Sequence, residues 1–536
     1  MKLSIKGLED KEAWNSAGIS IPEYNIKEVV DNTKKSPVWV HFGIGNIFRI
    51  FIGGIADSLI AQGIMDKGIT CVEAFDYEVV DKIYEPFDNL ILAITLNTDG
   101  STKKQVLGSL TEAIKAQSDI DSQWNRLKEV FTNAELQIAS FTITEKGYAL
   151  KGSDGNYFSF IMKDIENGPQ KPVSAIAILC ALLFERFKAG AQPLAVVSMD
   201  NCSHNGEKLK SSVIAMSEEW KERGFVDSHF LDYVNDEQRI SFPWSMIDKI
   251  TPRPAQTVAD QLEDLGIDDM SIVVTSKRTY IAPFVNAEGP QYLVIEDRFP
   301  NGRPQLEKAG VYMTDRDTVN KVERMKVTTC LNPLHTALAV YGCLLGYTLI
   351  ADEMKDAQLV SLIKQIGLIE GMPVVTDPMI LSPEKFVDEV INVRIPNPFM
   401  PDTPQRIATD TSQKVGIRYG ETIKAYINKD GNANNLIAIP LVIAGWCRYL
   451  LGVGDDGREF ELSADPMADE LTSQLSGIKV GNPETYIGQL KPILSNANIF
   501  GIDLYEAGLG EKIEKMFIEE IAGLDAVRST LVKYLS

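Results

Sequence analysis

The sequence predicts an α/β protein in two parts, a doubly wound domain over residues 1–300 followed by a mostly α-helical domain over 301–536. Three observations carry this. A chain of 536 residues exceeds what one hydrophobic core supports. Near the start, an apolar strand, a glycine turn, a helix and a second strand follow in the order of a parallel sheet. Beyond residue 310 the strand pattern fades into long helical periods.

Taken in order, SPVWVHFGIGNIFRIFIGGIADSLIAQG (36–63) runs from a strand through the glycine turn into a helix, and ITCVEAFD (69–76) reads as the next strand. Further strands are predicted at LILAITL (90–96), ELQIASFTIT (135–144) and PLAVVSMD (193–200). Helical stretches such as QWNRLKEVF and SAIAILCALLFERFKAG separate them. The proline- and charge-rich EDRFPNGRPQLEKAG (296–310) is the expected boundary. After it come the helical stretches HTALAVYGCLLGYTLIADEM, NLIAIPLVIAGWCRYLLG and AVRSTLVKYLS.

Composition narrows the function. Hydrophobic content of 44% and charged content of 24% are ordinary for globular proteins. A net charge of −21 argues against nucleic acid or an anionic membrane as the main partner and leaves room for a local basic pocket that takes a small anion. Six scattered cysteines signal neither a disulfide framework nor a zinc site, and no metal is expected. The start, MKLSIKGLEDKEAW, lacks an apolar signal core, so a reducing cytoplasm is the expected location. VSAIAILCALLF (173–184) and LHTALAVYGCLLGYTLI (334–350) are too short or too interrupted to span a membrane and read as core helices.

Several stretches carry candidate chemistry. Gly43-Ile44-Gly45 opens a helix, where backbone N–H groups and the positive dipole end can hold a pyrophosphate; Phe48 and Arg49 occupy the region of the usual third glycine. A plain strand-to-helix turn is the alternative. Asp76, ending the second strand, can accept hydrogen bonds from ribose hydroxyls and repel a 2′-phosphate, which favours NAD over NADP, or it can cap the next helix. Glu145 and Lys146, in TITEKGY (142–148), follow a strand whose end faces the same crevice, or lie in a solvated loop. SMDNCSHNG (198–206) places Asp200, Asn201, His204 and Asn205 at the edge where open α/β sheets bind ligands. Turn chemistry accounts for Asn205-Gly206 but not for Asn201.

MKVTTCLNPLHTALA (325–339) gathers Lys326, Asn332 and His335. Asn332-Pro333 reads as a helix start with Asn332 at the N-cap, Pro333 at the first helical position and His335 in the first turn. A helix N-terminus and burial both disfavour the protonated form of an amine, so a lysine at this point can serve as a base. The alternative is a capped helix beside a surface lysine and a packed histidine. In PFMPDTPQRIATDTSQKVGIRYG (398–420), Arg406, Asp410 and Lys414 recur at steps of four. They form a salt-bridge stripe if helical. Because the intervening Thr and Ser residues are poor helix formers, the two cations can instead hold an oxygen-rich anion.

Together VHFGIGNIFR, TITEKGY, MDNCSHNG, WSMIDKITPRP, YLVIEDRFPNGRP, Glu323 to Lys326, LNPLH, the Arg406–Lys414 pair and AGWCRYLLG resemble the mannitol dehydrogenase family of polyol-specific long-chain dehydrogenases, in family order across about 40–452. The resemblance implies a zinc-independent, NAD-linked oxidation of a secondary alcohol between a Rossmann-type domain and a helical one. It implies Lys326 as general base, Asn201 and Asn332 as the amides on the substrate oxygen, and His335 as a substrate hydrogen-bonding group. It further implies Asp248 as the signature acid, Arg406 and Lys414 as cations orienting the polyhydroxyl chain, and Glu323 as a gating carboxylate. Gly43, Gly45, Arg49, Asp76 and Glu145 are the expected cofactor contacts. The uronate branch, which interconverts D-fructuronate and D-mannonate, is the expected activity; a mannitol or tagaturonate enzyme, or a dinucleotide sensor without turnover, are the alternatives. Three positions depart from the family pattern. The lysine-to-asparagine spacing is one residue longer, Lys249 stands where the signature has arginine, and Phe51 stands where the glycine-loop motif often ends in histidine.

Overall fold

A computed structural model describes residues 1–535, which divide into two compact units, Met1–Asn320 and Lys321–Ser536. The first is built on a parallel sheet of strands Trp39–Phe42 (β1), Ile69–Glu73 (β2), Leu110–Lys115 (β3), Ile138–Phe141 (β4), Leu194–Ser198 (β5) and Ile240–Ser241 (β6). Their spatial order is β3-β2-β1-β4-β5-β6 with all pairs parallel, the doubly wound order whose reversal between β1 and β4 opens a crevice at the strand C-termini.

β1, β2, β4 and β5 are buried along their whole length, as strands covered on both faces must be. Alternate residues feed two cores. Val40, Phe42 and Val72 join Leu127, Phe131, Leu179 and Trp220 on one face. Trp39 and Cys71 join Phe48, Leu59 and Ile295 on the other.

The predicted strand at 90–96 forms, as Ile91–Leu96, but outside the doubly wound sheet. It pairs antiparallel with Thr102–Leu107 and parallel with Phe284–Ala287 in a separate mixed sheet. The third parallel strand is instead β3, whose sequence LTEAIK carries no clean apolar run because an edge strand can keep polar, half-exposed side chains. Residues 296–310 are not a linker: Tyr312–Thr314 pairs in parallel with Tyr292–Glu296, so the chain stays in the first unit past this segment. The division falls inside helix α2, Arg316–Met325 (α1 being Gly53–Ala61 after the glycine turn).

Among the described residues the second unit is helical, with no strand beyond isolated bridges. At its centre lie α3 (Asn332–Leu344) and α6 (Ala438–Tyr449), every residue of α6 being buried. Around them pack α4 (Ile350–Glu353), α5 (Pro404–Ile407) and α7 (Gly510–Glu520). The Glu370 carboxylate accepts the N–H groups of Ile437, Ala438 and Ile439 at 2.7, 2.7 and 2.9 Å, satisfying donors that the start of a buried helix would otherwise leave open. Among the described residues no helix is long and apolar enough to cross a membrane.

Candidate active site

The glycine turn is dictated sterically. Gly43 has φ +87°, and a Cβ there would lie 2.1 Å from the Thr142 carbonyl oxygen, so β1 can pass this close to β4 only with glycine. A Cβ on Gly45 would meet nothing within 4 Å, which leaves the far side of the turn open. Arg49 lies in the π-helical turn Phe48–Ile52 that follows and is wholly buried. Its Nη1 is 3.5 Å from Asn46 Oδ1, its guanidinium lies 5.9 Å from the Tyr84 ring centre, and its Nε and Nη2 have no partner among the described residues. Burial pushes it down to about 10, so it remains a cation at neutral pH without a carboxylate beside it. A buried cation with no carboxylate beside it, next to a turn whose far side is open, fits a pyrophosphate.

At the end of β2 the arrangement differs from the expectation for Asp76. The Asp76 carboxylate is buried, and its Oδ2 accepts the hydroxyls of Thr275 at 2.6 Å and Thr279 at 2.5 Å. It therefore fastens the hairpin Val273–Val274/Tyr280–Ile281 to the sheet and does not cap a helix. Glu73, the last residue of β2, does not stand out in the sequence because it falls inside the apolar run. Its Oε1 accepts the N–H groups of Phe75 (2.9 Å) and Asp76 (3.1 Å). Burial raises its pKa, opposed by the backbone donors of Asp76, Phe75 and Ile44, the last belonging to the glycine turn. The signal that could have found it is position: a carboxylate at the tip of the second strand of a doubly wound sheet.

TITEKGY forms a short helix, Thr144–Tyr148, in place of a loop; Glu145 is exposed and ion-paired with Lys208, and Lys146 is exposed. Asp200 organises this region, accepting the N–H groups of Ile143 (2.8 Å) and Thr144 (3.0 Å) and the Tyr148 hydroxyl (2.5 Å), while burial raises its pKa. Asn201 is exposed beyond β5, and His204, at φ +52°, sets its ring 4.5 Å from Trp244. Asn205 is buried and donates to Ser198 O, Asp200 O and Ser245 Oγ, so it opens the helix Asn205–Glu222 and is more than a turn residue. Asp248 ends the buried strand Ser245–Asp248. Two of the three departures from the family pattern meet: the Lys249 ammonium lies 5.8 Å from the Phe51 ring centre and donates to Glu288 O at 2.8 Å.

In the second unit Lys326 is buried and begins a π-helical turn, Lys326–Cys330, closed by Leu331 N to Lys326 O at 3.1 Å. This turn absorbs the extra residue between Lys326 and Asn332, since an i→i+5 bond holds one more residue than an α turn. It also corrects the expected cap. Leu331, not Asn332, is the N-cap of α3; Asn332 and Pro333 are its first two residues, and no side chain caps it. Asn332 and His335 are both partly exposed, in the first turn of α3. Glu323 is partly exposed one turn before Lys326 on α2.

The stripe reading of Arg406, Asp410 and Lys414 fails. α5 ends at Ile407, Asp410 has φ +54°, and a 3₁₀ turn Thr411–Gln413 follows. Arg406 makes a bidentate pair with Asp402, and Lys414 donates to the Thr409 carbonyl. Burial lowers the Lys414 pKa, and the neighbouring cations Arg418 and Arg406 lower it further against Asp410 and Asp465. Arg418, which sequence reasoning did not single out, donates to Thr336 on the first turns of α3. Among the described residues no group of three side chains could hold a metal ion, and all six cysteines are free.

A doubly wound sheet with an open, cation-backed glycine turn, followed by a helical unit that brings a buried lysine, an amide and an imidazole into consecutive turns, defines a dinucleotide-dependent dehydrogenase. The Rossmann domain model of mannitol dehydrogenase matches residues 38–308, and the mannitol dehydrogenase C-terminal domain model matches 318–519. The chain belongs to the mannitol dehydrogenase family and is an oxidoreductase of the kind that acts on CH–OH groups. It is 55% identical to D-mannonate oxidoreductase of Thermotoga maritima, over 99% of this chain and 98% of that protein. Among solved structures it resembles mannitol 2-dehydrogenase of Pseudomonas fluorescens in ternary complex with NAD and D-mannitol (TM-score 0.70, 25% identity, 99% of each chain). It also shares its fold with D-sorbitol dehydrogenase (TM-score 0.78, 24% identity, 96% of this chain and 98% of that one).

Proposed function

We propose that this chain is an NAD(H)-dependent, metal-independent oxidoreductase that interconverts D-fructuronate and D-mannonate in the cytoplasm. The observation that carries the substrate is the 55% identity, over almost the full length of both chains, to D-mannonate oxidoreductase. The bound dinucleotide supplies hydride acceptance and donation. Gly43, Gly45 and Arg49 would hold its pyrophosphate. Glu73 would take the ribose hydroxyls, with Asp76 acting through the hairpin it anchors and Glu145 at the cofactor's margin.

In this reading Lys326 Nζ takes the hydroxyl proton of the alcohol as hydride leaves the same carbon, and returns it in the reverse direction. The amides of Asn201 and Asn332 donate to the oxygen as it gains alkoxide character, which a fixed donor stabilises in the transition state more than in the ground state. His335 hydrogen-bonds the substrate, Arg406 and Lys414 orient its hydroxyl-rich chain, Asp248 is the signature acid, and Glu323 passes the proton to solvent. For the substrate carboxylate, Lys249 and Arg253, whose guanidinium lies 4.3 Å from the Tyr280 ring centre, are the proposed cations. Neutralising both should abolish mannonate turnover and spare any polyol turnover.

The test is NADH oxidation by EDTA-treated protein with D-fructuronate, D-tagaturonate and D-fructose, compared by kcat/KM. Fructuronate should dominate. Dominance of fructose would make this a mannitol 2-dehydrogenase, dominance of tagaturonate a tagaturonate reductase, and silence with all three would favour a non-catalytic dinucleotide sensor.

A further inference from the structure

Phe75 is 66% exposed at the tip of β2, although a large aromatic ring usually finds cover. It is held firmly. Its N–H donates to Glu73 Oε1 at 2.9 Å, its carbonyl accepts Lys277 Nζ at 2.7 Å, and the same ammonium lies 4.1 Å from the ring centre. Lys277 comes from the turn of the hairpin Val273–Val274/Tyr280–Ile281, and that turn is tied down independently. Thr275 and Thr279 donate to Asp76 Oδ2, Ser276 N donates to Glu78 Oε1 at 3.2 Å, and Thr279 N donates to Thr275 Oγ1 at 3.0 Å. Two hydroxyl contacts to Asp76, one buried and one half-buried, and a lysine thus present one apolar ring to solvent.

The position says what the ring is for. In the 3-2-1-4-5-6 order the adenosine half of a dinucleotide lies over the C-terminal end of the second strand, with its ribose at the carboxylate there. Glu73 is that carboxylate, and Phe75 stands two residues beyond it. A purine is a flat π surface that stacks on an aromatic ring without regard to its hydrogen-bond pattern, and a cation over the same ring strengthens the site electrostatically.

We propose that Phe75, held by Glu73 and by the Asp76-anchored hairpin, is the stacking platform for the adenine of the dinucleotide. This rests on the reading of the chain as NAD(H)-dependent and adds the residue that grips the adenine. It also gives Asp76 a positioning role, since its carboxylate fixes the hairpin that carries Lys277.

The test is calorimetric titration of the full chain with AMP, ADP-ribose, NADH and nicotinamide mononucleotide, for the wild type, Phe75→Ala, Phe75→Tyr and Asp76→Ala. Phe75→Ala should raise the Kd of AMP, ADP-ribose and NADH together by about tenfold, the scale of one lost base–aromatic stack. Nicotinamide mononucleotide affinity should be unchanged, and Phe75→Tyr should restore AMP binding. Asp76→Ala should weaken AMP in the same direction by releasing the hairpin. Unchanged AMP and NADH affinity in Phe75→Ala would overturn the platform while leaving the cofactor reading intact. Failure of the wild type to bind either AMP or NADH would remove both.

Discussion

Lys326 is buried, and in the proposed chemistry it receives the hydroxyl proton. Lys326→Ala should therefore cut kcat by about 10²- to 10⁴-fold while the Kd of NADH, measured by fluorescence titration, stays close to that of the wild type. Full activity in this variant would end the lysine mechanism even if the enzyme class held. At the proposed cofactor end, Glu73→Gln should narrow the preference for NADH over NADPH, because it removes the carboxylate proposed for the ribose hydroxyls. An unchanged ratio of kcat/KM values would take Glu73 out of the site. The pairing of Lys249 with Phe51 belongs to the same scale: two departures from the family pattern that looked independent lie against each other, and each makes the other intelligible.

Among the elements, the π turn Lys326–Cys330 is the one on which the position of the base depends. Inserting an alanine after Val327, a half-buried residue of that turn, adds one residue more than the π turn absorbs and should rotate Lys326 by about 100° relative to Asn332. Turnover should fall steeply with NADH affinity retained. Unaltered turnover would mean the turn does not set the lysine. Helix α4 carries a different liability. Glu353 is fully buried, neither carboxylate oxygen has a partner among the described residues, and burial, helped by Asp356, raises its pKa from 4.5 to about 10. A raised carboxyl binds its proton more tightly in the folded state, so its contribution is complete below about pH 4.5 and is lost as pH rises toward about 10. Glu353→Gln should flatten the decline of Tm across that window, gaining more over the wild type at pH 9 than at pH 5. Parallel Tm–pH curves would show that another group controls the slope.

For the molecule as a whole, the charge of −21 opposes both the sugar acid and the dinucleotide as they approach. Added salt should therefore raise kcat/KM for D-fructuronate several-fold between low and physiological ionic strength, and leave that for neutral D-fructose nearly flat. Stopped-flow or steady-state assays across a salt series decide it, and a fall with salt would point to local cations that overcome the global charge. The sequence by itself determined the α/β class, the helical second half, and the run of residues that marks the family. It could do so because hydrophobic periodicity and short glycine, asparagine and proline signals are local, and the glycine turn and the Lys326–His335 stretch are nearly contiguous. Only the tertiary structure decided that the strand at 90–96 belongs to another sheet, since pairing partners are chosen across the fold. It likewise showed Asp76 already occupied by two threonines some two hundred residues away in sequence, with Glu73 nearer the glycine turn. The extra residue after Lys326 was visible as a count, but its absorption by a π turn was a question of backbone hydrogen bonding that no pattern of side chains could answer.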